Sequence, residues 1–144
     1  EAEMQSLYAS ADVVLSLHRA EGFGLVIAEA MLRGIPVVAT DWSGSRDFLN
    51  ASNGMPVQYT LIQAVDPQGE YDFRALNWAD PDIHDASAKI KQLRDNPILR
   101  DKLGLRARED AARLFSDDVY YSSVSRTLRD GAWQVEAGGC IGQV

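Results

Sequence analysis

Apolar positions along the chain fall into two rhythms, short unbroken runs typical of buried strands and three-to-four spacings typical of helices. Residues 2–10 predict a helix, and Asp12-Val13-Val14-Leu15-Ser16-Leu17 a strand. A second helix is predicted over about 24–33, ending at Gly34, because a glycine just past the last periodic residue accepts the left-handed conformation that closes many helices. Ile35-Pro36-Val37-Val38-Ala39-Thr40 is continuously apolar, as strands buried on both faces of a parallel sheet are. Strand, helix and strand in this order make a βαβ unit with a right-handed crossover. The predicted class is α/β, a Rossmann-like parallel sheet with flanking helices, and its ligand crevice lies beyond the carboxyl ends of the strands.

Further along, residues 43–50 predict a short helix begun by Ser43 or Ser45, and Asn53-Gly54 a turn. Pro56 to Ile62 reads as one extended strand, and Asp66 to Asp80, polar and carrying Pro67 and Gly69, as a long surface loop. Asp80-Pro81-Asp82 starts a helix with Ile83, Ala86, Ile90 and Leu93 on one stripe; a helix cap outranks a carboxylate metal site there. Asn96-Pro97 breaks that helix and caps the next. Ser116 is the expected N-cap of a last helix over about 117–130, which Gly131 ends, and residues 131–144 predict a flexible tail.

Composition bounds the chemistry. Hydrophobic residues at 46% and charged ones at 24% suffice for a globular core. A net charge of −7 disfavours nucleic acid and anionic membrane surfaces as partners, since both demand a basic face. No apolar run approaches the roughly 20 residues of a membrane span. One cysteine, Cys140, allows no internal disulfide and fits a reducing, cytoplasmic setting. Two histidines, His18 and His84, leave a transition metal almost without ligands, and no nucleophile elbow accompanies either.

The candidate chemistry gathers between the first two strands. Glu21 precedes Gly22-Phe23-Gly24, and Glu29 follows Leu25-Val26-Ile27-Ala28. Glycines let backbone amides approach a ligand, and a helix start offers unpaired N–H groups with partial positive charge, so an anion is favoured there. Glu29, about five residues into the helix and leaning back toward its start, can accept from paired hydroxyls such as those of a ribose. Glu21 faces the bound anion from the other side. The ligand implied is a phosphate flanked by hydroxyl-rich groups, a nucleotide sugar.

Residues Ser16 to Leu25 through Glu29-Ala30, followed by Gly34-Ile35-Pro36-Val37-Val38-Ala39-Thr40, resemble the donor-site segment of retaining GT-B glycosyltransferases of the family-four type. The hallmark of that family is a glutamate pair separated by seven residues around a Gly-Phe-Gly turn. The likeness continues through Trp42 to Leu49, Trp78 to Asp82 and Leu114-Phe115-Ser116, covering residues 1 to about 130 as one donor-binding domain. It implies that Glu21 stands at the reacting centre and Glu29 on the ribose, while the backbone around Gly22, and the N–H groups of Phe23, Gly24 and Leu25, hold diphosphate or sugar. His18 either contacts the donor sugar or pins the loop through a backbone hydrogen bond. The implied reaction moves a hexose from a nucleotide-diphosphate sugar with retention, without metal or other cofactor, in a setting such as polysaccharide assembly.

This chain departs from the family pattern in length. A complete GT-B enzyme has two Rossmann-like domains, so the acceptor-binding domain, the first donor-domain strands and an upstream Arg and Lys pair lie outside the 144 residues. Alone, the chain is expected to have little or no transferase activity, and membrane contact, where it occurs, is expected through the absent half. Two other readings stay open: a GT-B phosphorylase or epimerase relative, and a nucleotide-sugar-binding module without activity of its own.

Overall fold

The computed structural model describes residues 2–65, 67–68 and 76–129. The expected tail, Gly131, Asp66 and Gly69 lie outside them. The chain divides into two compact units, residues 1–112 and 113–144.

In the first unit three parallel strands, β1 (Val14–Ser16), β2 (Val37–Thr40) and β3 (Met55–Val57), pair in the order β1-β2-β3. Val14 stands beside Val37, and Val38 beside Met55. Every residue of β2 is buried, as the unbroken apolar run requires of a central strand covered on both faces. Helix α1 (Ala2–Ser10) precedes β1; α2 (Leu25–Leu32) is the crossover to β2 and packs on both strands. Helices α3 (Ile83–Asp95) and α4 (Pro97–Leu114) follow β3. Val38, Met55, Val57, Ala86, Leu93 and Leu103 form one buried cluster, which closes α3 and α4 over one face of the sheet. Fully burying each large side chain of this kind stabilises by about 1.5–3 kcal/mol.

The end of α2 fixes where β2 begins. Gly34 adopts φ 74°, its N–H bonds the Met31 carbonyl at 2.9 Å, and the Ile35 N–H bonds Ala30 at 3.0 Å. This is a Schellman closure, and the left-handed residue it needs is the predicted glycine. Gly104 of α4 lies against that turn: a Cβ there would fall 2.2 Å from the Gly34 carbonyl oxygen.

Three expectations are corrected. The single strand over 56–62 is two, β3 and β4 (Tyr59–Gln63), because the Gln58 N–H donates to Asp85 at 2.8 Å and its carbonyl accepts from the Asp82 N–H at 2.7 Å. Both backbone groups of Gln58 are thereby taken by the start of α3, and the chain leaves the parallel sheet. The loop expected to Asp80 ends sooner, since β5 (Asn77–Pro81) pairs antiparallel with β4, Tyr59 opposite Pro81 and Gln63 opposite Asn77. Finally, residues 43–50 yield only a 3₁₀ turn, Ser43–Asp47, whose flanking Trp42 makes no side-chain cap.

Helix α3 starts as the acids predict, Asp82 accepting from the N–H groups of His84 and Asp85 at 2.8 and 3.1 Å. Ile83, however, is 61% exposed and drops out of the buried stripe that Ala86 and Leu93 keep. Asn96 caps α4 through the Leu99 N–H at 3.0 Å, with Pro97 at the first helical position. In the second unit α5 spans Asp117–Arg129, and Ser116 accepts from the Val119 N–H at 3.4 Å. Among the described residues no helix is long and apolar enough to cross a membrane, and no three side chains gather as metal ligands.

Candidate functional site

The chain leaves β1 into a loop held from two sides before α2 begins. His18 anchors the first side: its Nδ1 lies 3.1 Å from the Ser16 hydroxyl and its Nε2 2.9 Å from the Trp42 carbonyl. A carbonyl only accepts, so Nε2 carries a proton and donates. Of the two roles open for His18 in the sequence, the loop pin is the one this geometry displays. Arg19 ties the second side, its guanidinium 3.0 Å from Asp80 and its carbonyl accepting the Ala79 N–H at 2.9 Å. Because both charged groups of that pair are about half exposed, it contributes little stability, but it fixes where β5 lies against the loop.

Next comes the turn itself. The Gly44 N–H donates to the Glu21 carbonyl at 3.2 Å, which joins the loop to the 3₁₀ turn. Phe23 lays its ring 5.2 Å from that of buried Phe48. Gly24 stands at φ 92°, ψ 50°, a left-handed conformation that only glycine adopts readily, and hands the chain to α2. The first helical bond runs from the Ala28 N–H to the Gly24 carbonyl at 2.9 Å. The N–H groups of Leu25, Val26 and Ile27 therefore emerge from the helix end without an intrahelical acceptor. Gly22 is exposed with nothing within 4 Å of where a Cβ would stand, so space remains above the turn.

Glu21 is half-buried, and among the described residues its carboxylate has no ion pair or hydrogen bond. Glu29 sits in a different setting, on the second turn of α2. Its Oε2 is 3.5 Å from Arg33 Nη1, while the same guanidinium donates to the Glu29 carbonyl at 2.9 Å and stacks 4.4 Å over the Tyr8 ring. The Tyr8 phenol, from α1, reaches the Val26 carbonyl at 3.5 Å. Burial, then the Glu29 charge, pushes the Tyr8 phenol above its ordinary pKa, so it stays a donor.

Two openings lie on residues near the acids, and neither is lined by Glu21 or Glu29. One of about 470 Å³ is lined by Trp42, Ser43, Arg46 and Asp47, beside the Glu21 turn, and Ser43 there holds a strained φ of 65°. Another of about 390 Å³ includes Tyr8, Gln5 and Arg33. A larger cavity of about 650 Å³, lined by Asp41, Lys89, Gln92 and Leu103 among others, likewise includes none of the predicted site residues. Tyr8, Arg33 and Gly44 went unnoticed in the sequence; the i, i+4 spacing of Glu29 and Arg33 was the one visible signal.

With this geometry in view, the comparison with known families is decisive. The family described as Family 4 Glycosyltransferase in conflict systems matches residues 1–112, the whole of the first compact unit. The chain belongs to this family. Among solved structures, sucrose-phosphate synthase from Thermosynechococcus elongatus is similar in fold, with a TM-score of 0.63 and 23% identity. The match covers 89% of this chain and 27% of that one, so the family 4 domain spans about a quarter of the length of that enzyme. No curated protein sequence matches. The α/β architecture is thus that of a GT-B glycosyltransferase, and Glu21 with its Gly-Phe-Gly turn lies beyond the carboxyl end of β1.

Proposed function

We propose that this domain holds the nucleotide-diphosphate sugar of a retaining hexosyltransferase, with Glu21 at the reacting centre. The observation that carries the reading is the left-handed turn at Gly24, which presents the N–H groups at the start of α2 between Glu21, a carboxylate with no partner among the described residues, and a second one, Glu29. In this arrangement the amides around Phe23, Gly24 and Leu25 take the diphosphate. As the bond from the anomeric carbon to the phosphate oxygen breaks, charge grows on the leaving diphosphate. The fixed dipoles at the helix start stabilise that charge without reorganising.

The sugar left behind has oxocarbenium character, and the acceptor hydroxyl attacks it from the face the diphosphate leaves, giving up its proton to the departing diphosphate oxygen and giving retention. Glu21 stabilises the cation electrostatically. Glu29 accepts from the ribose hydroxyls and sets the register of the nucleotide, and no metal is required of these residues. His18 holds the loop in place and lies close to the sugar. The acceptor is bound by a partner half outside this chain, so the chain alone binds donor with little or no turnover, in the cytoplasm.

The test is Glu21→Gln in the native polypeptide that carries this domain, assayed with UDP-, GDP- and ADP-linked sugars. Turnover falls by about 10²–10³, the scale of losing one electrostatic stabiliser, while donor affinity changes by less than about threefold. Equal losses in both, or an unchanged rate, would remove Glu21 from the reacting centre.

A further inference from the structure

We infer that Tyr8 and Arg33 are positioning residues that hold the Glu29 carboxylate and offset its charge, so that it can accept from the ribose of an anionic nucleotide. The inference rests on the donor-binding reading above and extends it to two side chains from outside the glutamate motif.

A carboxylate beside a diphosphate poses a physical problem. It accepts ribose hydroxyls well, but its charge repels the ligand, and the chain already carries a net charge of −7. Arg33 answers this directly, with Nη1 3.5 Å from Glu29 Oε2. The guanidinium is itself locked from three further sides: it donates to the Glu29 carbonyl at 2.9 Å, to the Gln5 side-chain oxygen at 3.3 Å, and lies 4.4 Å over the Tyr8 ring. Held in this way, it compensates Glu29 and is not free to swing onto the phosphates.

Tyr8 completes the clamp. Only 5% exposed, it anchors α1 to α2 through the Val26 carbonyl at 3.5 Å and gives the Arg33 guanidinium the ring on which it lies beside Glu29. A glutamate has three rotatable bonds, and fixing them before the ligand arrives removes an ordering cost from binding. With Oε2 engaged by Arg33, lone pairs on the other oxygen remain for a diol.

The experiment compares ribose and 2′-deoxyribose ligands. In the native polypeptide carrying this domain, affinities for UDP, GDP and ADP and for their 2′-deoxy counterparts are measured by calorimetry, using the base that binds best. Wild type is expected to favour the ribose form by about tenfold, the scale of one hydrogen bond to a charged acceptor. Glu29→Ala abolishes that preference. Arg33→Gln lowers the preference to about twofold to threefold, with Arg33→Lys restoring part of it, and Tyr8→Leu, which removes the ring under the guanidinium, lowers it likewise, whereas Tyr8→Phe, which keeps the ring, leaves it unchanged. Thermal melts taken alongside verify that each variant folds.

The outcomes separate the two ideas. A wild type blind to the 2′-hydroxyl, a Glu29→Ala variant that still senses it, or failure of all three diphosphates to bind overturns the donor-site reading itself. If Glu29→Ala loses the preference while folded Tyr8→Leu and Arg33→Gln keep it in full, the positioning roles are wrong and the donor site stands.

Discussion

Gly44 lies directly against Gly22: a Cβ at residue 44 would fall 2.0 Å from the Gly22 carbonyl oxygen and 3.1 Å from the Phe23 Cα. No side chain fits there unless the backbone of the glutamate loop moves. Gly44→Ala is therefore expected to cost about 1–3 kcal/mol, as overpacking does, and to displace the turn that carries Glu21. Gly22→Ala is the control, since it adds a methyl into open space. Thermal melts with nucleotide binding check the pair. Gly44→Ala should lower both stability and affinity, and equal behaviour of the two variants would refute the close approach.

Thr40 ends β2 fully buried, and among the described residues its hydroxyl has no hydrogen-bond partner. An unpaired buried hydroxyl costs about 1–3 kcal/mol. Thr40→Val keeps the branched shape and removes the polar atom, so its melting temperature should rise. A fall would mean that the hydroxyl is satisfied in solution.

Asn53 staples the segment after the 3₁₀ turn to α4. Its amide donates to the Phe48 carbonyl at 3.0 Å and to buried Asp110 at 3.1 Å, while its side-chain oxygen accepts from the Asn50 N–H at 2.8 Å. Asp110 also receives Arg106 at 3.1 Å. Asn53→Ala leaves these partners unsatisfied and should cost about 2 kcal/mol. Asn53→Asp sets a second carboxylate beside Asp110 and should cost more at neutral pH, with the gap to Asn53→Ala narrowing in acid. Denaturant midpoints at two pH values decide it.

The Asp85 carboxylate is held below its ordinary pKa by the hydrogen bond from Lys89, then by the Gln58 N–H. A lowered carboxylate contributes stability in full above its unfolded value, about 3.9, and loses it as pH falls through the folded value. The stability difference between wild type and Asp85→Ala should hold steady from about pH 7 to 5 and shrink below about pH 4. A difference that grows in acid would reverse the assignment.

Much of this architecture was legible in local pattern. The run Ile35–Thr40 announced a buried parallel strand, Gly34 its preceding helix stop, Asp82 and Asn96 their caps, because each depends on neighbours a few residues away. The hairpin was not legible. Asn77-Trp78-Ala79-Asp80-Pro81 lacks a strand's composition and becomes one by pairing with residues some 18 positions earlier. The break at Gln58 likewise depends on Asp82 and Asp85, distant in sequence. At the site, the Gly-Phe-Gly turn and its flanking acids were readable, since glycine geometry and helix starts are local. The supports were less so: Trp42 and Gly44 act through contacts that the strand order creates and Tyr8 through the packing of α1 on α2, while only the i, i+4 spacing of Glu29 and Arg33 was visible beforehand.

An amide-resolved NMR titration of the chain with UDP, GDP and ADP probes the cradle at the groups proposed to do the binding. The largest shifts are expected at the N–H groups of Phe23, Gly24 and Leu25, with smaller ones at Glu21 and Glu29, and they should shrink in Glu29→Ala at the same subsaturating ligand concentration. Shifts confined to the cavity lined by Asp41, Lys89 and Gln92, with the Gly22 to Leu25 amides unmoved, would contradict a donor site between the two glutamates.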